Sequence, residues 1–399
     1  EYEEENRKGG LIYSGIYNSN GNTNNLNQFI AAEKITKDIN PIYGSIQKLH
    51  SRDSDLVTLC EDKCLRILVQ KDALYNADGN AQLLAREGVL GQTIPFSGEF
   101  GISKNPESFA SESYRVYFTD KVRGAVMRLS KDGLTPISNH GMKDWFKDNL
   151  KLSTKLIGSY DDRKDEYNIT LADRKTLGDE LIVNGNFDGN SNSWTLDNGW
   201  EYNNGKIEGD NVAQYKSMKQ FNIPIISGKN YIVTYTISNY TSGSYNIVIL
   251  DENGDWDRTP AKSGNGTYTK TLIAGTNTGN YTPQSIYLQQ YSSMPGSVII
   301  DNISVKEIIS DPITVSFKED VRGWVSLKSF VPESGISTAS DYYTMLGGKL
   351  YKHHIENTNR NNFYGVDYNS SINVILNDGP GSIKSFHTLT YEGSQSKID

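Results

Sequence analysis

The side chains that could carry out catalysis are scattered along this sequence of 399 residues. No Ser or Cys lies in a nucleophile-elbow context, and no glycine-rich loop precedes a helix as a phosphate site would require. The histidines show no grouping that points to a triad or a metal centre. They are His50, His140, His353, His354 and His387.

Two pairs of neighbouring carboxylates could supply the acid and the base of a glycosidase. They are Asp161 with Asp162 and Asp165 with Glu166. Both pairs lie in a turn that also contains Arg and Lys, which is typical of a solvated hairpin tip. We therefore expect a protein that is not an enzyme.

One tryptophan stands in an unusually polar loop, Asp251-Glu-Asn-Gly-Asp-Trp-Asp-Arg258. A loop of this composition has little reason to carry Trp256 as a core residue. The aromatic face of Trp256 is therefore the best candidate in the chain for stacking against a ligand.

The two cysteines, Cys60 and Cys64, lie four residues apart. A zinc site would need two further soft ligands, and none follows at zinc-finger spacing. Strands that turn at Glu61–Lys63 would bring the two thiols near each other. We expect reduced, half-buried cysteines rather than a disulfide. A chain of this length can form an apolar core that is large enough to stabilise the fold without a disulfide.

The composition favours an all-β protein that does not bind nucleic acid. The chain is 36% hydrophobic with 25 Tyr and 36 Gly, which favours twisted sheets and polar turns. Its net charge of -8 argues against a phosphate-binding surface, although an acidic wall can line a path for DNA. No apolar run reaches about 18 residues, so no membrane span is predicted. Residue 1 is Glu, which predicts a processed or fragmentary chain.

Four segments share one pattern of two alternating strands joined by a tight polar turn. Hairpins that recur every few tens of residues are typical of β-propeller blades, and a plain antiparallel meander is the alternative. The four segments are Leu56–Leu68, Tyr114–Leu129, Leu156–Thr170 and Tyr342–His353.

Two helices are predicted between the strands. Asn27–Lys37 could form a short helix, although β-branched residues weaken it. In Met142–Leu150 the apolar residues Met142, Trp145, Phe146 and Leu150 share one face, which is the pattern of an amphipathic helix.

Leu181–Ile308 has the pattern of a complete β-sandwich inserted into another domain. It contains alternating strands such as Tyr245–Leu250 and Ser285–Gln290, and charged or Asp-Pro segments mark its two ends. The flanking chain leaves after one hairpin and resumes at Ile313–Phe317, which we expect to lie in the same sheet. The predicted division is 1–177 for the first part of a propeller-like domain, 178–309 for the inserted jelly roll, and 310–399 for the second part.

The order of motifs in this insert resembles carbohydrate-binding modules of families 4, 9 and 22. The resemblance is carried by Asn184–Asp188, Gly199–Tyr202 and the closing strand Val298–Lys306. It implies that aromatic faces stack on sugar rings, while amides and carboxylates bind the hydroxyls. The aromatic candidates are Trp256, Trp200, Tyr202 and Tyr291. The polar candidates are Asp251, Asn253, Gln289 and Gln290. For aromatics other than Trp256, a place in the core or on a sheet face is the alternative.

The same resemblance implies a calcium ion near the joined ends of the sandwich. Asp188 and Asp301 would be its carboxylate ligands, and backbone carbonyls would complete the set of oxygens. The alternative is that both carboxylates cap turns beside the first and last strands.

The flanking segments resemble the tail muzzle or nozzle proteins of crAss-like and related podovirus-type phages. The segments that carry this resemblance are Gly10–Tyr17, Tyr43–Arg52, Asn76–Asn80, Gly98–Phe109, Phe118–Gly124, Gly133–Ser138, Gly323–Phe330, Arg360–Gly365 and Tyr391–Ser394. It implies a virion structural protein whose copies form a ring with other tail proteins around the DNA exit channel. The genome would pass without specific binding.

The sequence therefore predicts a structural component of a phage tail, whose inserted jelly roll contacts glycans of the host surface or of mucus. A bacterial surface or secreted glycan-binding protein is the alternative function. A glycoside hydrolase is less consistent with the sequence. Binding modules usually lie at one end of an enzyme, whereas this one interrupts a domain. A purely structural role for the insert is also open.

Overall fold

The structure is a computed structural model that describes residues 6–18, 21–30, 32, 34–52, 55–75, 81–372, 381–385 and 387–388. It comprises two compact units, Glu1–His354 and Ile355–Asp399. Strands dominate the described residues of the first unit, which confirms the predicted all-β class. No helix in these ranges is long and apolar enough to cross a membrane.

Four short strands begin the chain: β1 (Gly10–Ile12), β2 (Tyr17–Asn18), β3 (Thr23–Asn24) and β4 (Thr36–Asp38). β1 pairs with β4 and β2 pairs with β3. The helix predicted over Asn27–Lys37 is wrong for the described residues of that range, because Thr36 and Lys37 belong to β4. The β-branched residues Ile35 and Thr36 favour the extended backbone.

Two four-stranded antiparallel sheets follow, each with its strands in sequence order. The first sheet contains β5 (Ile46–Arg52), β6 (Asp55–Cys60), β7 (Cys64–Tyr75) and β8 (Ala81–Pro95). The second sheet contains β9 (Ala110–Ser111), β10 (Val116–Asp120), β11 (Ala125–Ser130) and β12 (Gly133–Pro136). The first two predicted hairpins are thereby confirmed.

These two sheets pack face to face through alternate apolar side chains. Val57 and Leu59 of the first sheet share a buried core with Phe118 and Met127 of the second. Cys64 belongs to this core, whereas Cys60 is buried on the opposite face. Both cysteines are free thiols and are fully buried rather than half-buried. Burial raises the pKa of Cys60 to about 11.

The predicted helix over Met142–Leu150 is confirmed as α1 (Lys143–Asn149). Phe146 and Leu150 are fully buried, and Met142 and Trp145 pack against the same core. Single-turn 3₁₀ helices occur at Pro41–Tyr43, Pro106–Ser108, Ile137–Asn139 and Leu150–Leu152.

The chain then forms the hairpin β13 (Leu156–Asp161) and β14 (Glu166–Leu171) before it enters a jelly-roll β-sandwich. The sandwich strands are β15 (Lys175–Glu180), β16 (Thr195–Leu196), β17 (Trp200–Asn203), β18 (Lys206–Val212), β19 (Ser217–Phe221), β20 (Asn230–Ser242), β21 (Tyr245–Leu250), β22 (Trp256–Arg258), β23 (Gly266–Ile273), β24 (Ser285–Gln290) and β25 (Gly296–Ser310).

The sandwich strands form two sheets around one apolar core. One sheet has the order β17-β18-β25-β20-β23, with β15 also paired to β25; we call it the β25 sheet. The other has the order β16-β19-β24-β21-β22; we call it the groove sheet. Alternation along β20 buries Val233 and Tyr235 and leaves Thr234 and Thr236 half-buried on the outer face. The long alternating strands predicted from the sequence are thus confirmed.

After the sandwich, the chain returns to the sheet it left. β26 (Ile313–Lys318) pairs with β14 along its whole length, from Leu171 opposite Ile313 to Glu166 opposite Lys318. β27 (Gly323–Lys328) completes this third sheet in the order β13-β14-β26-β27. The expected return to the same sheet is therefore observed, whereas the predicted domain boundaries stay a prediction.

The two faces of the third sheet differ in polarity. One face packs against the second sheet with apolar residues such as Ile169 and Phe317, and Tyr117 stacks between Tyr160 and Tyr167 at centroid distances of 5.7 and 4.9 Å. The opposite face is polar but buried.

The buried polar face corrects the interpretation of the hairpin Asp161–Glu166 as a solvated tip. Asp161 is 1% exposed and its Oδ2 lies 2.7 Å from His354 Nε2, while Glu166 is 8% exposed and pairs with Lys328. Asp162 is not buried, so only part of the turn is solvated.

A fourth sheet packs on this polar face. It consists of β28 (Ser334–Thr338), β29 (Asp341–Leu346) and β30 (Lys349–Lys352), which confirms the last predicted hairpin. Ser159 and Tyr342 share a hydrogen bond of 2.7 Å between the third and fourth sheets. Gly335 allows this approach, because a Cβ there would lie 2.8 Å from Ser159 Cβ.

The second, third and fourth sheets follow one another in space as they do in sequence. β13 contacts both β9 and β28, the first strands of the two neighbouring sheets. Closure of these sheets into a complete propeller stays a prediction.

The second unit, Ile355–Asp399, contains the hairpin β31 (Asn362–Phe363) and β32 (Val366–Asp367). Two segments that carry the predicted resemblance, Asn76–Asn80 and Tyr391–Ser394, lie outside the described residues.

Candidate functional site

A groove of about 420 Å³ lies on the outer face of the groove sheet. Five aromatic side chains, two cations and one amide contribute to its walls, which is the composition of a site for a polar ligand with flat apolar faces. The lining residues are Tyr215, Ser217, Lys219, Val248, Leu250, Trp256, Arg258, Tyr281, Tyr287, Gln289 and Tyr291.

Strand alternation explains why these side chains share a face. In β24, Ile286 and Leu288 are fully buried in the sandwich core. The residues that alternate with them, Tyr287 and Gln289, therefore face outward. The neighbouring strands place Lys219 and Val248 opposite Tyr287, and Arg258 lies opposite Val248. The groove floor is therefore one continuous cross-strand surface.

Trp256 is positioned by a tight turn anchored on a buried carboxylate. Asp251 is fully buried, and its Oδ1 accepts hydrogen bonds from the backbone N–H groups of Asn253 and Asp255 at 2.8 and 3.0 Å. The turn delivers Trp256 to β22, where its backbone exchanges two hydrogen bonds with Asn277. Asp251 thus fixes the turn that positions Trp256.

A second loop forms the wall beside Trp256. Asp255 Oδ1 accepts a hydrogen bond of 2.8 Å from the Gly279 N–H. A Cβ on Gly279 would lie 2.7 Å from the Tyr281 ring and 2.9 Å from the Trp256 ring, so only glycine leaves room for both rings. The loop therefore holds Tyr281, which is 54% exposed, at the edge of the groove.

Arg258 links the two aromatic residues that the sequence predicts as ligand contacts. Its guanidinium carbon lies 5.1 Å from the centroid of Trp256 and 4.6 Å from that of Tyr291. Tyr291 also contacts Tyr215 edge-on at a centroid distance of 6.0 Å. These contacts restrict the arginine to the centre of an aromatic platform.

The second cation of the groove is neutralised. Lys219 Nζ lies 2.9 Å from both carboxylate oxygens of Asp197. Burial opposes ionisation of Asp197, but hydrogen bonds from Lys219 and the Ser217 backbone outweigh it, so the pKa of Asp197 falls below its ordinary value. Asp197 therefore stays ionised, and the charge of Lys219 is balanced.

The structure brings together some of the predicted ligand contacts and separates others. Trp256, Tyr291 and Gln289 all line the groove. Trp200 is 5% exposed and lies in the sandwich core, where its cross-strand partner Gly209 leaves room for the indole. Tyr202 lies on the β25 sheet, packed against the core. Trp200 and Tyr202 therefore lie away from the groove, and their contact with a glycan stays a prediction.

Of the other predicted polar contacts, Asp251 and Gln290 are fully buried, and Asn253 belongs to the turn before Trp256. Gln290 donates to the carbonyl of Met294. The residues that the sequence reasoning missed are Arg258, Tyr287, Tyr215 and Tyr281. The alternation of β24 was a signal for Tyr287, since it places this residue on the same face as Gln289.

The predicted calcium ligands make local contacts. Asp188 is exposed and accepts a hydrogen bond from the Asn186 side chain, and Asp301 accepts one of 2.7 Å from the N–H of Asn302. In the part of the chain that the structure describes, no three His, Cys, Asp or Glu residues are grouped to hold a metal ion. Calcium binding by Asp188 and Asp301 stays a prediction, as does the alternative that they cap turns.

A cleft of about 550 Å³ between the second and third sheets differs from the groove, because much of its charge is already paired. Glu319 accepts hydrogen bonds of 2.7 Å from both Tyr117 and Arg128. His353 makes a similar structural contact, with 2.7 Å between its Nε2 and Thr344 Oγ1.

Residues 358–399 match the family model of the crassvirus muzzle protein C-terminal domain. Of the segments that predict the resemblance, Arg360–Gly365 and Tyr391–Ser394 lie inside the match. This match confirms the predicted resemblance to muzzle proteins over residues 358–399.

Solved structures similar to this chain include carbohydrate-binding modules. A family 16 carbohydrate-binding module is 15% identical and matches over 31% of this chain and 98% of its own length, with a TM-score of 0.24. The N-terminal cellulose-binding domain of Cellulomonas fimi β-1,4-glucanase C is 17% identical over 33% and 96%, with a TM-score of 0.25. The enzymatically active domain of bacteriophage CBA120 tailspike protein 4 is 16% identical over 32% and 21%, with a TM-score of 0.24. A search of curated protein sequences finds no match.

Proposed function

We propose that this protein is a non-enzymatic structural component of the distal phage tail, arranged as a ring around the channel through which the genome leaves. The muzzle domain at residues 358–399 is the observation that carries this proposal. The net charge of -8 is compatible with it, because an acidic surface repels DNA phosphates and lets the genome pass without specific binding.

We further propose that the jelly-roll groove binds a glycan on the host surface or in mucus. Trp256 and Tyr291 offer aromatic faces for the C–H surfaces of sugar rings, and the Gln289 amide can bind hydroxyl groups. The groove lies on the outer face of an inserted module whose two ends run side by side, since Lys175 pairs with Ser310. This attachment leaves the groove sheet available for contact.

The tail assignment predicts that the protein forms rings with other tail proteins. Electron microscopy of phage particles decorated with an antibody against the jelly roll should show label in a ring at the distal end of the tail. A chain that is absent from purified particles and stays monomeric in solution would contradict the assignment. That result would instead favour the alternative of a bacterial surface or secreted glycan-binding protein.

Replacing Trp256 by Ala should weaken glycan binding about thirtyfold, because loss of a central aromatic contact costs about 2 kcal/mol. Binding of the full chain to a glycan array, followed by titration of the best ligand, measures this effect. Tyr114→Ala is the control, since Tyr114 is 66% exposed in the turn between β9 and β10 and does not line the groove. Equal affinity of the Trp256→Ala and Tyr114→Ala variants would refute the groove as the binding site.

A further inference from the structure

Arg258 is a groove cation with no acidic partner among the residues that the structure describes. No carboxylate in the described part of the chain lies within salt-bridge distance of its guanidinium, which instead contacts the rings of Trp256 and Tyr291 at 5.1 and 4.6 Å. Many other arginines of this acidic protein are paired. Arg123 with Asp120 and Arg174 with Asp311, each at 3.0 Å, are examples.

The acidic side chains nearest to Arg258 in sequence accept hydrogen bonds from backbone N–H groups. Asp257 Oδ1 accepts the backbone N–H of Arg258 at 2.8 Å, and its Oδ2 accepts the N–H of Ile273 at 3.0 Å. Asp255 holds the Gly279 loop. No acidic side chain lines the groove among the described residues. Since Asp197 balances Lys219, the positive charge of Arg258 remains uncompensated.

We propose that the groove selects an anionic glycan, a polysaccharide that carries carboxylate or sulfate groups. This inference rests on the proposed glycan-binding function and names its ligand class. The guanidinium presents paired N–H donors in a planar fork that matches carboxylate or sulfate oxygens. The flanking rings restrict the side chain, which lowers the entropy lost on binding and places the charge where a sugar ring stacks.

The chemistry predicts a preference between polysaccharides that differ only in charge. Homogalacturonan and its fully methyl-esterified form share one backbone, as do a sulfated galactan and its desulfated form. Titration of the full chain should show at least one anionic form bound about tenfold or more tightly than its neutral counterpart, as a charge-assisted hydrogen bond provides. The affinity for that form should fall as salt is added.

Arg258→Gln should abolish this preference, so that the affinity ratio of the charged and neutral forms approaches one, while binding of the neutral form persists. Lys270→Gln is the matched control, because it removes one positive charge from an exposed strand position on the β25 sheet. It should leave the ratio unchanged. Trp256→Ala should weaken binding of both forms.

The possible outcomes separate this inference from the function on which it rests. Equal or tighter binding of the neutral forms would overturn the anionic preference and leave glycan binding intact. A preference that survives in Arg258→Gln or disappears in Lys270→Gln would also overturn it, because the selectivity would then arise from overall charge. Absence of binding to every form would overturn both proposals.

Discussion

Replacing Glu166 by Gln should destabilise the flanking sheets by about 3 to 5 kcal/mol, because it leaves a buried lysine without its charge partner. Lys328 Nζ lies 2.5 Å from Glu166 Oε2 and 3.0 Å from Asn168 Oδ1. The two side chains of the ion pair are only 13% and 10% exposed. Burial lowers the pKa of Lys328 even with Glu166 beside it, so loss of the carboxylate would favour the neutral amine further.

Native-state hydrogen exchange measures this loss separately in each module. The opening free energy of peptides from 156–171 and 313–328 should fall, whereas that of peptides from 231–250 in the sandwich should not. Asp148→Asn is the control, because Asp148 and Lys151 form an exposed pair with side chains 70% and 62% accessible. The double variant Glu166→Met with Lys328→Met should recover much of the stability, since neither charge then remains buried.

An unchanged opening free energy in Glu166→Gln would show that water or rearrangement satisfies Lys328, and it would contradict the buried pair. The experiment also bears on topology. Glu166 precedes the jelly roll and Lys328 follows it, so their pairing depends on the return of the chain to the third sheet.

The elements that the sequence predicts well are those with local causes. Period-two alternation and tight polar turns fix the hairpins, such as Tyr114–Leu129, without reference to distant residues. The amphipathic face of Met142–Leu150 has the same local character. The helix predicted over Asn27–Lys37 fails because strand pairing with β1, a contact over some twenty-five residues, decides its conformation.

The sequence does not predict the burial of the polar residues Asp161 and Glu166, because the cause of that burial is long-range. The charges of Asp161–Glu166 have the composition of a solvated turn, yet Asp161 and Glu166 are covered by the fourth sheet and by Lys328, more than 150 residues later. A single sequence contains no local signal for such cover. Buried charges of this kind are retained only where partners from distant strands arrive with good geometry.

The groove shows the same division between local and distant causes. Trp256 is predictable because a tryptophan in a polar loop is locally anomalous. The role of Arg258 is not predictable in this way, since it depends on Tyr291, which reaches the same platform from just beyond the end of β24. Trp200 has the aromatic chemistry of a ligand contact, but a glycine on the neighbouring strand opens a place for it in the core.

Two glycine substitutions should each destabilise one module. A Cβ on Gly158 of β13 would lie 1.9 Å from the carbonyl oxygen of Ser108, and a Cβ on Gly185 would lie 1.9 Å from that of Ile303. Neither obstacle can move easily, because Ser108 also accepts a hydrogen bond from Tyr167 and the Ile303 N–H donates to the Gly185 carbonyl. Each replacement by Ala should cost about 3 kcal/mol or more through overpacking.

The modules should respond separately. Gly158→Ala should lower the opening free energy of the flanking sheets, and Gly185→Ala that of the jelly roll, as read by hydrogen exchange in the same peptides. Gly323→Ala is the control, since the nearest atom to its Cβ, at 3.7 Å, is an ordinary contact. We expect the modules to respond independently because β15 and β25 pair at the base of the jelly roll. Hydrogen bonds within the jelly roll therefore hold its two chain ends together. Equal destabilisation of both modules by either substitution would instead indicate one cooperative domain, and the predicted boundaries at 178 and 309 would have to be abandoned.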